Sequence, residues 1–368
     1  MPKGLAKEVA MKMPKVNIFS EKKNSSWEPP EDFAYAHGLC MLVCKFSMQI
    51  VFSGHANNIF GLKVEASEEE IAQLDVSQNI WEWLEQTGRD KDRAELTARV
   101  AFQAVLEDMM VCLEKAVECA GEGKMTLAFM LLRKPLEESL IILEEIARGK
   151  FAFADKFENA RNLIEKSGYG GLPGHVKRIQ DVLDAAGLQD IFDAGYLAEL
   201  RYDKNSRDTF YGVCNKAMHL FTSKQPIATE VMNINSIFSG EEELYTQAAY
   251  FYSRLPYLLI YIMEMLEHVV GSIVSTHAEY VDYQRRRVYS LFLLGWGCID
   301  EHYDEDRIET LFIYANLWLE HDCKSKGVRS PKRDDLNRMA LLGCYPDESD
   351  EDAQVRIDFF NNFKASDN

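Results

Sequence analysis

DRAELTARVAFQAVLEDMMVCLEKAVECA, Asp92 to Ala120, repeats its apolar residues at intervals of three and four: Leu96, Val100, Phe102, Val105, Leu106, Met109, Met110, Leu113 and Val117. That period lays them along one side of an α-helix. Gly121 and Gly123 punctuate the pattern, and the stretch from Lys124 to Arg148 resumes it with Phe129, Leu132, Leu136, Leu140 and Leu143. Two long amphipathic helices joined by a short glycine turn make a helical hairpin. With few strand-turn-strand signals and only ten prolines, the chain reads as all-α, a multi-helix bundle with additional N- and C-terminal helices.

Composition supports this. Over 368 residues, 47% hydrophobic and 27% charged, there is ample material for a large core. A net charge of −18 disfavours a protein that coats nucleic acid broadly, while leaving room for a small basic site. The eight cysteines are scattered without zinc-knuckle spacing; Cys40 with Cys44, and Cys112 with Cys119, fit helix faces, so they read as reduced thiols in a cytoplasmic protein. The first residues form a mildly basic tail lacking the apolar core of a secretion signal. The apolar run from Leu255 to Met263 is too short to span a bilayer, and no membrane partner is expected.

Working outward, four regions emerge: a tail over 1–30, N-terminal helices over 31–90, a helical core over 91–278 and a helical extension over 279–368. The prolines and acids of SSWEPPEDF, Ser25 to Phe33, open a nearly continuous apolar helix from about Glu31 to Phe52. Ser67 with Glu70 spells a capping box before a helix expected to run to Gln86; its Trp81 and Trp83 suit packing. Pro135 inside the second hairpin helix costs a backbone hydrogen bond, about 3 kcal/mol unless the helix kinks. Around it Arg133, Glu137 and Glu144 share one edge: either an intrahelical ion pair or the lining of a cleft. SGYGGLPGH, Ser167 to His175, reads as a flexible connector, since no Gly-Lys-Ser/Thr follows to make a phosphate loop. Helices follow over about His175 to Ala186 and Leu188 to Tyr202.

QPIATEVMNINSIFSG, from Gln225, reads as irregular or a short strand pair, and Glu241 opens a helix to about Thr276, interrupted by Pro256. Beyond Tyr280 lie a basic triplet, Arg285 to Arg287, and the acidic CIDEHYDEDRIE from Cys298. The latter lacks the Gly and Glu that a calcium loop needs where Glu305 and Leu311 stand, so no metal or other cofactor is expected. Two more helices, Arg307 to Lys324 and Lys332 to Leu342, precede an acidic linker and a final helix, Ala353 to Phe363.

The most suggestive polar pattern is NSRDTFYGVCNKAMHLFT, Asn205 to Thr222. Read as one helix capped by Asn205, it stacks Arg207, Tyr211, Asn215 and His219 at steps of four, a polar ridge ending in an imidazole. Arg201, Lys204 and Arg207 give a local positive cluster before it. An amide and an imidazole one turn apart can serve general acid/base chemistry; a lone helical histidine more commonly serves as a hydrogen-bonded boundary residue.

Two segments, AFMLLRKPLEESLIILEEI (Ala128 to Ile146) and YGVCNKAMHLFT (Tyr211 to Thr222), resemble HEPN-like helical proteins of the abortive-infection and toxin type, over roughly Val100 to Gly271. The resemblance implies a HEPN-like core, homodimeric assembly, a role in prokaryotic defence, and metal-independent cleavage of RNA. Its motif is Arg, a polar residue, three residues and His; His219 and Asn215 match the last two conserved types, and Cys214 stands where the arginine belongs. Arg133 or Lys216 would then substitute for the missing cation as catalytic residues, with Arg201, Lys204, Arg207 and Tyr211 contacting the RNA substrate. The other expectation is a catalytically inactive binding or regulatory component that acts with a protein partner.

Overall fold

The computed structural model describes residues 31–74, 79–206, 208–223, 228–231, 234–235, 241–297, 303 and 306–362. The described residues contain helices and turns but no strand. The hairpin at the centre is α4, Asp90–Gly121, followed by α5, Met125–Lys134, and α6, Leu140–Arg148. From Phe102 to Val117 the α4 stripe is buried except at half-buried Val105, with Phe102, Leu106, Met109, Met110 and Leu113 at zero exposure. Val100 lies outside the seam and is exposed.

Between α5 and α6 the backbone does not simply bend. Pro135 has no N–H to give, and Pro135–Ser139 widen into a π-helical turn, in which Leu140 N–H bonds to Pro135 O. A π turn absorbs a lost rung by slipping the register one residue and re-aims the side chains after it. Here that shift directs Glu137 and Glu144 inward, at 2% and 0% exposure.

The other elements close around the hairpin. α1, Ala34–Ala56, packs on α4 with Leu39, Cys40, Val43 and Cys44 buried. The two helices approach so closely that a Cβ on Gly121 would lie 2.6 Å from His37 Cε1. His37 in turn shares a 2.7 Å hydrogen bond with the Tyr252 hydroxyl, a core histidine satisfied by a phenol. Glu31–Ala56 is the one helical stretch among the described residues long and apolar enough to cross a membrane, with mean hydropathy 1.3 and half of that window buried. Its buried side chains face α4 and the helices Glu241–Gly271 and Ala278–Trp296.

The Ser67–Glu70 capping box forms, but the helix it starts stops early: α2 spans Glu68–Gln73 and α3 spans Ile80–Gln86. Both tryptophans pack and bond, Trp81 Nε1 to Thr97 Oγ1 at 2.9 Å and Trp83 Nε1 to Glu70 O at 3.0 Å. After α7, Lys150–Asn159, come α8, Leu172–Ala186, and α9, Ala194–Tyr202. The expected start of α9 at Leu188 is corrected to Ala194, where the Asp193 side chain accepts from Tyr196 N–H at 2.6 Å and caps the helix. α10, Phe210–Met218, packs on α5 and α9.

α11, Glu241–Gly271, runs through Pro256 and is nearly encircled, with Leu255, Leu258, Leu259 and Ile262 at zero exposure. α12, Ala278–Trp296, α13, Asp306–Ser325, α14, Arg333–Leu342, and α15, Asp350–Asn362, complete the described bundle. α12 packs against α1, α13 and α14, so the C-terminal extension shares the core of the N-terminal helix. The basic triplet on α12 is spent internally: Arg285 on Glu264 at 2.5 Å, Arg286 on Asp322 and Arg287 on Ala340 O at 3.1 Å. The irregular 225–240 segment is described only in part, and Cys298 and His302 lie outside the described residues. Among those described, no cluster of three or more His, Cys, Asp or Glu side chains could hold a metal ion.

Candidate functional site

The π turn sits over a buried array of charge. Glu144 on α6 accepts from Arg201 Nη1 at 2.5 Å, lies 2.8 Å from Arg178 Nη2 and accepts from the Tyr261 hydroxyl at 2.8 Å. Arg201 also donates Nε to Leu136 O inside the π turn, 2.7 Å, and Nη2 to the Tyr202 hydroxyl, 2.5 Å. Burial by itself would raise the Glu144 carboxyl, but the Arg178 and Arg201 guanidiniums reverse this and hold it below its ordinary range. Two arginines, one carboxylate and two tyrosines thus tie α6, α8, α9 and α11 together. Breaking such an array exposes an uncompensated buried charge, a cost of about 3–5 kcal/mol.

Against this floor stands His175, on the first turns of α8 and 3% exposed. Its ring stacks on Tyr202 with centroids 3.8 Å apart and planes 10° apart. Arg178 Nη1 lies 2.8 Å from His175 Nδ1; an arginine only donates, so Nδ1 is the acceptor and the neutral ring carries its proton on Nε2. Burial, then Arg178 and Arg201, push its pKa down to about 3. His175 is therefore a hydrogen-bond donor at neutral pH and not a cation.

Tyr202 and His175 line a cavity of about 1140 Å³. Its other walls are α4 (Ala104, Val105, Asp108), the π turn and α6 (Ser139, Ile142), and the 164–172 turn. Four glycines shape that turn and its exit into α8. A Cβ on Gly174 would lie 1.7 Å from Tyr169 O and one on Gly168 2.1 Å from Asn162 O, so these two positions exclude any larger residue. Within the segment read as a flexible connector, Tyr169 donates to Glu145 at 2.6 Å.

Three lysines reach the cavity wall. Lys134 pairs with Asp108 at 2.6 Å. Lys166 pairs with the buried Glu137 and also lies 4.6 Å from the centroid of the Tyr211 ring. Lys204 approaches the same ring at 5.6 Å. Two ammonium groups gathered on one phenol ring form a mixed cationic and aromatic spot at the cavity edge. Glu138, Glu165 and Asp203 also line the wall, so the field there is mixed, not uniformly positive.

The residues singled out from sequence divide sharply. Lys204 lines this cavity and lies 5.6 Å from the ring of Tyr211, which is not itself one of the wall residues. Arg133 lies one step behind, its Nε 4.0 Å from Glu137 Oε1, on the carboxyl that Lys166 also meets. Arg201 is not a surface cation: it is wholly buried, and its guanidinium bonds to Glu144, Leu136 O and Tyr202. Arg207 lies outside the described residues.

The polar ridge itself breaks. The helix begins only after Thr209, whose hydroxyl accepts from Tyr211 N–H at 3.2 Å and replaces Asn205 as the cap. It ends at Met218, and His219 is already extended, φ −130° and ψ 137°. Asn215 remains on α10, 9% exposed, with its amide turned back on Tyr211 O at 2.7 Å. His219 is exposed beside Leu220 and Phe221 at 69% and 65% exposure, and its carbonyl accepts from Asn235 Nδ2 at 2.9 Å. Lys216 is half-buried on the last turn of α10. Cys214 points into the bundle at 1% exposure, where burial, then Glu137, raises its thiol well above the usual range.

His175, Tyr202 and Lys166 escaped the sequence reading. The available signal was His175 one turn before Arg178 on an otherwise apolar helix face, a spacing that brings two polar side chains to one buried side. No protein-family model matches the chain, and comparisons with curated proteins and with solved structures find no match.

Proposed function

We propose that this protein is a HEPN-like binding component of a defence or stress system, catalytically inactive, that holds a short single-stranded RNA segment at the cavity beneath the π turn. The observation that carries this reading is that Lys166 and Lys204, in the wall of a cavity of about 1140 Å³, both approach the Tyr211 ring. A phenol ring flanked by ammonium groups suits a stacked base and its neighbouring phosphate. The neutral His175 Nε2–H and the Ser139 hydroxyl add donors in the wall. The mixed charge favours a short segment over a long electrostatic track.

Inactivity is supported by the separation of parts. An RNA-cleaving site of this type needs a cation and an imidazole at one phosphate, whereas His219 is exposed on extended chain, Cys214 replaces the motif arginine, and Arg133 is held beside Glu137. The resemblance further supports a cytoplasmic homodimer working with a protein partner.

The test is fluorescence anisotropy of a labelled single-stranded RNA at low salt, run beside a cleavage assay on total RNA in EDTA. Tyr211→Leu and Lys204→Glu should each weaken binding about tenfold, and His219→Ala should leave it unchanged. Absence of saturable binding by the intact protein would overturn the reading. RNA cleavage that disappears in His219→Ala would replace it with a metal-independent ribonuclease using His219 and Asn215.

A further inference from the structure

A second, smaller cavity lies at the C-terminal end of α11 and shares no wall residue with the first. It measures about 170 Å³ and is enclosed by the end of α1, the turn at Ile59 and Phe60, the end of α11, the start of α12 and Phe360 of α15. Five aromatic side chains enter its wall: Phe46, Phe60, Phe102, Tyr280 and Phe360. Phe60 and Phe102 meet with centroids 6.2 Å apart, and Tyr280 and Phe360 at 5.3 Å.

Between these rings the wall holds polar side chains, His277 among them, with one carboxyl, Glu267, and no lysine or arginine. One turn earlier, Glu264 takes both available partners, accepting from Arg285 Nη2 at 2.5 Å and from the Tyr289 hydroxyl at 2.7 Å. Glu267 has no hydrogen bond or ion pair among the described residues. Gln284, 4% exposed, lies in the same wall as Tyr280. A carboxyl that makes no direct ion pair is costly to enclose, and burial raises it although the Arg285 charge opposes the rise.

We propose that this cavity binds a small organic ammonium ion, its apolar body among the Phe60, Phe102 and Phe360 rings and its charge on the Glu267 carboxylate. Three features converge on that class. Aromatic faces attract a cation. A single carboxylate supplies its counter-ion and repels anions. The volume suits a compact guest, since an engineered apolar cavity of about 150 Å³ in another protein accepts benzene. Benzylamine matches all three requirements, and benzyl alcohol is its uncharged counterpart of nearly equal shape.

The experiment is calorimetric titration of the full chain with benzylamine and with benzyl alcohol at pH 8, on the wild type, Glu267→Gln and Ile273→Phe. The wild type should bind the amine at least about tenfold more tightly than the alcohol. Glu267→Gln, which keeps the shape and removes the charge, should erase that preference. Ile273→Phe, which fills the cavity from the α11 side, should abolish binding of both. Equal affinity for amine and alcohol, an amine preference that survives Glu267→Gln, or no saturable amine binding at millimolar concentration would each overturn the proposal. Because the two cavities share no residue, a failure here leaves the RNA reading untouched, and the reverse holds.

Discussion

Replacing Glu267 by glutamine should stabilise the protein, and the gain should grow with pH. Glu267 faces the ring-lined cavity, and burial, opposed by Arg285 and reinforced by Glu264, lifts its pKa from an ordinary 4.5 to about 7. The folded state therefore holds this proton more tightly than the unfolded chain does. Stability is untouched by the group below about pH 4.5 and falls as pH rises through the window from 4.5 to 7, where the unfolded carboxyl ionises freely and the folded one resists. At about 1.36 kcal/mol per pKa unit, the full penalty reached by pH 8 is about 3 kcal/mol. At pH 5.5 it is less than half of that, about 1.4 kcal/mol by the same linkage relation. These are upper figures, because the carboxyl is partly exposed and solvent screening reduces the penalty. Urea denaturation of wild type and Glu267→Gln at both pH values measures it, and taking the difference between the two proteins cancels every other group that titrates alike. The expected outcome is a gain at pH 8 that exceeds the gain at pH 5.5 by about 1 to 2 kcal/mol. An equal gain at both, or a loss at pH 8, would refute the account of Glu267 as an uncompensated carboxyl.

Other outcomes follow from the same reasoning. Glu144→Gln leaves Arg178 and Arg201 facing each other without their shared carboxylate, and should cost about 3–5 kcal/mol by denaturant titration; adding Arg201→Met should recover part of it. His175 should show no titration in its ring proton NMR shifts between pH 5 and 8, since its pKa is pushed down to about 3; its contribution to stability is complete above the ordinary histidine range near 6.5 and is lost as pH falls towards 3. His219→Ala, at an exposed extended position, should change stability by less than about 0.5 kcal/mol.

Much of the architecture follows from residue periodicity, and the exceptions are instructive. The α4 stripe, the α1 apolar run and the Ser67–Glu70 cap are local facts, decided by side chains within a few turns of one another, so intervals of three and four were sufficient to find them. Pro135 announced a disturbance for the same reason: a missing N–H is a property of one residue. What the backbone does there is a widened π turn and not a plain kink, and the partner of its Leu136 O, Arg201, comes from another helix.

The site divides along the same line. Sequence alone determined that Lys204 lies just before a helix and Tyr211 on its polar face, and that Glu137 and Glu144 share one side of a helix. It could not determine that Arg201 is swallowed by Glu144, 57 residues away in the chain, because charge on a helix reads identically whether a buried partner or water meets it. Nor could it foresee that α10 starts at Phe210 and stops at Met218, breaking a four-residue ridge that looked continuous. Periodicity is a property of a helix that already exists; where the helix begins and ends, and which carboxylate meets which guanidinium, is decided by packing among segments far apart in sequence.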